Sequence, residues 1–172
     1  MENKPFFSIV IPAYNCAGTI LATLESIAAQ TVSDFEVIIV NDGSKDATAD
    51  VLQGFANMDS RFSFITIPNN GPGNARNQGI ARAQGRYLFL MDADDEIEQH
   101  TLERYQTILT GEAPDLIVAS YNLQVLDNQE IVSEKQVIAE DRTYASNTAF
   151  LENLYPLMNK QLMYVIWNKI YR

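Results

Sequence analysis

Four short apolar runs recur along the first half of this chain, and each stops abruptly at a polar loop. They are "FFSIVIP" (6–12), "FEVIIV" (35–40), "FSFITI" (62–67) and "RYLFLM" (86–91). Short, mostly apolar runs of this length, rich in β-branched and aromatic residues, are the pattern of buried strands. Helical periodicity fills the gaps. In "AGTILATLESIAAQT", Ile20, Leu24, Ile27 and Ala28 share one stripe. Between Asp46 and Asn57, Ala47, Val51, Leu52 and Phe55 do the same, and Ala75 to Gln84 reads as a third helix ended by Gly85 as a C-terminal cap. Strands that alternate with helices require crossover connections and give a mostly parallel sheet. The expected fold class is therefore α/β, Rossmann-like, with helices on both faces of the sheet.

The rhythm loosens after residue 96. "IEQHTLERYQTIL" is helical in pattern, "DLIVAS" and "YNLQVL" read as further strands, and "IVSEKQVIAE" as an edge strand or arm. "SNTAFLENLYPLM" and "QLMYVIWNKIYR" read as two closing helices. The 172 residues fit one domain, 1–172, with a nucleotide-binding half over 1–96 and the start of an acceptor half over 97–172. A net charge of -10 argues against nucleic acid or anionic lipid as a partner. No run of about 18 apolar residues spans a membrane. The N-terminus lacks the features of a secretory signal. The single cysteine, Cys16, allows no internal disulfide and reads as an inert thiol in a reducing compartment.

In an open α/β sheet, ligands bind beyond the carboxyl ends of the strands. Polar groups gather at every one of these loops: Pro12, Ala13, Tyr14 and Asn15 follow the first run, Asn41, Asp42, Gly43 and Ser44 the second, Asn69 to Gly73 with Arg76 and Asn77 the third, and Asp92, Asp94 and Asp95 the fourth. Asp92 and Asp94 are two residues apart, so on an extended chain they point to one side and repel unless a cation lies between them. Mg²⁺ or Mn²⁺ would take one or two such carboxylates plus the oxygens of a substrate diphosphate. Asp42, alone on a Gly-Ser turn, would accept from a ribose hydroxyl or base N–H, or else satisfy backbone N–H groups at the next helix. Arg76 would meet phosphate or base, or else form a salt bridge.

Other patterns dissolve on inspection. "GPGNARNQG" puts Arg76 where the third glycine of a dinucleotide fingerprint belongs. "DADDEIEQHTLE" imitates a calcium loop but has Ile97 at the glycine position and a strand before it. His100 reads as a solvated or packed histidine and Trp167 as core.

The segments "FSIVIPAYN", "SIAAQTVSDFEVIIVNDGSKDAT", "NNGPGNARNQGIARAQGRYLFLMDADD" and "IWNKIYR" together resemble glycosyltransferase family 2, over nearly the whole chain. The resemblance implies a GT-A fold and an inverting enzyme that moves sugar from a nucleotide-diphosphate donor, by default a UDP-sugar, to a glycan or lipid-linked glycan acceptor. It implies a nucleotide-sugar site of Pro12, Tyr14, Asn15, Asp42, Gly43, Arg76, Asn77, Asp92 and Ala93. The "DAD" segment matches the family's D-x-D motif, with Asp92 and Asp94 toward Mg²⁺ or Mn²⁺. It further implies polysaccharide or cell-surface glycan synthesis in the bacterial cytoplasm, with the full enzyme at the inner membrane face through regions outside this chain. The alternatives are weaker. A sugar-nucleotide pyrophosphorylase wants a basic, glycine-rich first loop where this chain has "PAYNCAGT", and a non-catalytic nucleotide-sugar-binding module is favoured only by the want of a base.

One departure stands out. In the family the catalytic base is an acidic residue, often in an "ED" pair, beyond the "W-N-K-x-Y-R" segment. Nothing after Trp167 is acidic, and Glu140-Asp141 precedes it. The sequence therefore reads as an N-terminal portion truncated at Arg172, expected to bind donor and transfer little.

Overall fold

The structure, a computed structural model, describes residues 4–127, 130–163 and 168–172. In chain order its elements are β1 (Phe7–Ala13), α1 (Ile20–Ala28), β2 (Phe35–Asn41), α2 (Thr48–Met58), β3 (Phe62–Thr66), α3 (Pro72–Ile80), β4 (Tyr87–Leu90), α4 (Thr101–Gly111), β5 (Leu116–Val118), β6 (Tyr121–Asp127), β7 (Glu130–Val137), α5 (Asn147–Glu152), α6 (Leu154–Asn159) and β8 (Lys169–Tyr171). The chain divides into two compact units, Met1–Leu116 with Ile170–Arg172, and Ile117–Lys169.

The fold is mixed α/β. A six-stranded, mostly parallel sheet in the order β3-β2-β1-β4-β8-β5 is flanked by helices. β1 pairs in parallel with β2 and with β4, and β2 with β3. Successive strand residues face opposite sides, yet Ile9, Val10 and Ile11 are all fully buried. Both faces of β1 are thus covered, which is why its sequence shows no polar alternation. Fully burying a side chain of this size stabilises by roughly 1.5–3 kcal/mol.

The second unit is built around the antiparallel pair β6–β7, with a register shift between Val125 and Leu126. Its helix α5 is capped by Ser146, whose hydroxyl accepts from the Ala149 N–H at 3.2 Å. Glu140 pairs with Lys160 and lies exposed.

Three sequence expectations change. The "QLMYVIWNKIYR" segment is not helical at its end: Lys169–Tyr171 is a strand, with Ile170 opposite Phe89 and Tyr171 opposite Leu88 in antiparallel pairing on β4. Residues 164–167, Trp167 among them, lie outside the described residues. The third helix starts earlier and ends sooner than expected, at Pro72 and Ile80, because Pro72 at a first helical position needs no N–H partner. Gly85 is accordingly no cap. It lies against β1, where an added Cβ would stand 2.6 Å from the Phe7 carbonyl carbon. Lastly, Asp92 to Asp95 is not extended, a point taken up with the site.

Gly79 explains how closely α3 packs on the sheet. It is buried, and a Cβ there would collide with Cγ1 of Val10 and touch Val40 at 3.4 Å. Val10 is fully buried and stiff about χ1, so it has no room to yield. Alanine gains about 1 kcal/mol of helix propensity but overpacks by about 1–3 kcal/mol. Gly79→Ala should therefore lower the urea midpoint by the equivalent of about 1 kcal/mol at unchanged slope. Its cost should disappear in a Val10→Ala background, and an undiminished cost there would rule out the collision as its cause.

Candidate functional site

The strand order reverses direction between β1 and β4: β2 and β3 continue on one side of β1, and β4 begins the other. Crevices form outside the carboxyl ends of strands at such a switch point. Here an open cleft of about 790 Å³ is lined by Pro12, Tyr14, Asn15, Asp42, Arg76, Asp92, Ala93 and Asp94, among others. The sequence-predicted residues thus lie along one cleft, with two exceptions. Asn77 is exposed on α3, and Gly43 sits beneath the loop; neither lines the cleft. Gly43 has φ +69°, and a Cβ on it would stand 3.0 Å from the Asn69 N, so its part is to let the turn pass under the third loop. Cys16, Thr19 and Asn69 also line the cleft and were not singled out for it. Their only sequence signal was a place in a loop behind a strand.

Several polar residues of these loops turn out to fasten them together. Asn15, in the left-handed region at φ +49°, gives its N–H to Ser44 Oγ (3.0 Å) and accepts from the Lys45 N–H through Oδ1 (2.8 Å). The Cys16 N–H donates to Thr48 Oγ1 (2.9 Å) and the Ala17 N–H to Asp46 Oδ2 (3.1 Å). The loops after β1 and β2 are in this way stitched into one wall. Thr19 Oγ1 donates to the Ala93 carbonyl at 3.1 Å and joins that wall to the loop after β4. Burial pushes the Cys16 thiol up, as expected of an inert thiol.

Asp42 is buried, at 2% exposure. Its two carboxylate oxygens accept the Asn70 N–H (2.9 Å) and the Gly71 N–H (2.8 Å). The capping role foreseen for it exists, but it serves the loop ahead of α3 and not the next helix, α2. Each carboxylate oxygen has capacity for a further hydrogen bond, and Asp42 is among the residues that line the cleft.

The acidic segment folds as a turn. The Asp95 N–H donates to the Asp92 carbonyl, and the Asp92 N–H to Asp95 Oδ2, both at 3.3 Å. The i, i+2 argument for a shared side therefore does not apply, although Asp92 and Asp94 both line the cleft. Arg76 Nη2 donates to Asp92 Oδ1, and the two side chains are 20% and 32% exposed. His100 is exposed and pairs through Nδ1 with Glu103 Oε2 at 2.9 Å.

Asp95 carries the cost of this crowding. Burial, then the charges of Asp92 and Asp94, raise its pKa from 3.8 to about 6. A raised acid pKa favours the folded state fully below the unfolded value and loses that contribution as pH climbs through the folded one. Two units correspond to about 3 kcal/mol, reduced by solvent screening to roughly 1–3 kcal/mol. In metal-free buffer the melting temperature should therefore fall between pH 4 and 7, beyond any other trend. Asp95→Asn should flatten that fall and be the more stable protein at pH 7.5. Parallel melting curves for the two would contradict this account.

The sequence profile of glycosyl transferase family 2 matches residues 8–170. The chain belongs to this family. Among its relatives, EpsH of Bacillus subtilis is 34% identical over 169 residues, which is 98% of this chain and 47% of EpsH. The hyaluronan synthase of Pasteurella multocida is 40% identical over 103 residues, 60% of this chain and 11% of the synthase. Among solved structures, Staphylococcus aureus TarS residues 1–349 in complex with UDP-GlcNAc aligns over 96% of this chain and 45% of that one, with a TM-score of 0.72 and 26% identity. The family 2 chain thus spans about half the length of EpsH and of the TarS structure. Its fold is GT-A. No helix among the described residues is long and apolar enough to cross a membrane.

Proposed function

We propose that this family 2 chain forms the donor site of an inverting, divalent-metal-dependent glycosyltransferase. It would take a UDP-sugar and serve the synthesis of a polysaccharide or cell-surface glycan. The observation that carries this reading is the convergence of Asp42, Arg76, Asp92 and Asp94 on one cleft at the switch point. The likeness to TarS, whose complex holds UDP-GlcNAc, supports a UDP-sugar, and the likeness to a hyaluronan synthase supports a glycan product.

The donor set fits the cation this reading requires. Among the described residues no group of three or more His, Cys, Asp or Glu is placed to hold a metal ion. Those residues form no self-contained metal cage. Two carboxylates on a cleft wall suit Mg²⁺ or Mn²⁺, which keep most of their oxygen ligands from water and substrate phosphates. When bound, such a cation neutralises charge on the departing diphosphate.

The chain's own groups divide the work. Tyr14, 48% exposed at the cleft, offers a flat face for the base, and the free lone pairs of Asp42 accept from base or ribose. Asp92 and Asp94 orient the diphosphate end, and the Arg76 guanidinium offers it N–H donors. An acceptor hydroxyl, its proton taken by a carboxylate base, then attacks the anomeric carbon as the bond to the diphosphate oxygen breaks on the opposite side. One displacement of this kind inverts the centre. Titration calorimetry with UDP, with and without Mn²⁺, tests the reading. Tight UDP binding only in the presence of Mn²⁺ is expected, whereas UDP binding indifferent to Mn²⁺, or none at all, would sink it.

A further inference from the structure

One of the two carboxylates proposed to meet a cation is already engaged. Arg76 Nη2 holds Asp92 Oδ1, and neither side chain is freely solvated, at 20% and 32% exposure. Asp94, by contrast, is exposed. A cation arriving alone therefore meets one open carboxylate and one that a guanidinium has neutralised. Asp95 lies beside them but turns its Oδ2 onto the Asp92 N–H, and among the described residues no group of three or more His, Cys, Asp or Glu is placed to hold a metal ion.

The guanidinium is itself poorly used. It has five N–H donors in a fixed fork. Its Nε is buried and makes no hydrogen bond. Arg76 stands on the first turns of α3, a helix whose first turn contains no acidic residue. A diphosphate offers such a fork two acceptor oxygens at once, a better match than a single carboxylate oxygen.

We propose that Arg76 is a latch on the cation site, one that couples cation binding to diphosphate binding. Without a diphosphate, Arg76 masks Asp92 and keeps cation affinity low. A diphosphate in the cleft draws the guanidinium onto its own oxygens, and Asp92 is released to the cation. No covalent step is involved; one ion pair is exchanged for two. Free cation is thereby kept from occupying the site unproductively, and donor and cation bind as a pair. This inference rests on the donor-site reading above, and goes beyond it in assigning the coupling to an exchange of partners by one residue.

The test counts bound Mn²⁺ on the 172-residue chain by electron paramagnetic resonance, with and without UDP. Wild type, Arg76→Gln and Arg82→Gln are compared. Arg82 lies just past the same helix and bonds to Gln78, so its loss controls for net charge alone. With no UDP, Arg76→Gln should bind Mn²⁺ about tenfold more tightly than wild type, a magnitude ordinary for coupled sites, and Arg82→Gln should match wild type. Addition of UDP should then raise Mn²⁺ affinity less in Arg76→Gln than in wild type. Equal Mn²⁺ affinity of wild type and Arg76→Gln without UDP, while UDP still tightens Mn²⁺ in wild type, overturns the latch and spares the donor site. Absence of Mn²⁺ binding to wild type even with UDP overturns both. Should Arg76→Gln fail to fold, the side-chain ¹⁵N resonances of Arg76 in wild type decide: a shift on adding UDP with Mg²⁺, and none with Mg²⁺ alone, supports the exchange. A resonance that stays put at saturating UDP rejects it.

Discussion

Asp42→Ala is expected to abolish measurable UDP binding and to cost about 3–5 kcal/mol of folding stability, the sum of two charge-assisted hydrogen bonds. Both oxygens of this buried carboxylate are used, on the N–H groups of Asn70 and Gly71. Alanine would leave those two donors short of a partner in a part-buried loop. The damage would travel, because Gly71 is the residue that leads into α3, at φ +86°, and α3 carries Arg76. A carboxylate beside a helix N-terminus also complements the helix dipole. Asp42→Asn should be milder, since its amide keeps one acceptor oxygen but turns an NH₂ toward the other N–H. Urea unfolding and calorimetry with UDP measure the two losses. If Asp42→Ala folds within about 1 kcal/mol of wild type and still binds UDP normally, Asp42 is a bystander to both loop and ligand.

The pairing of Asp42 with Gly71 shows what the chain's letters could and could not reveal. β1, β2 and β3 were legible nearly to the residue, because a sheet covered by helices demands mostly apolar strands and four such runs alternated with amphipathic stretches; β1 and β2 are buried almost throughout, whereas β3, at the sheet edge, is buried only at Phe62. The switch-point rule then pointed to the loops that matter. It did not say which polar residue in a loop meets ligand and which meets another loop. Asn15 and Ser44 looked as available as Asp42, yet they bond to each other's loops, and Asp46 beside them bonds to Ala17 and Thr48. Arg76 and Asp92 are 16 residues apart, and Asp42 and Gly71 are 29 apart. Partners at such distances leave no local pattern. The same holds for β8, whose strand character comes from pairing with β4 and not from any period of its own. α3 was displaced for a different reason: "GPGNARNQG" has little amphipathic stripe, and its glycines resemble a turn until Pro72 is recognised as a helix start.

Asp94→Asn should separate ligand binding from folding more cleanly than any other single change. Asp94 is exposed on the cleft wall, so little packing is lost with its charge. Its charge does help to raise the pKa of Asp95 toward about 6. Removing it relieves like-charge repulsion in the turn, and the metal-free protein at pH 7.5 should melt at the same temperature as wild type or higher. Binding should move the other way. Replacing even the outer-shell partner of a metal ligand costs up to about 100-fold in metal affinity, and a direct ligand should cost at least that. Mn²⁺-supported UDP affinity should thus fall by about 100-fold or more, while the weaker UDP binding expected without Mn²⁺ should stay the same. Opposite signs for stability and binding exclude general damage as the explanation. A variant that is less stable and binds Mn²⁺ with UDP as wild type does would mean that the turn needs the Asp94 carboxylate for folding, and that the cation, if one binds, is held elsewhere.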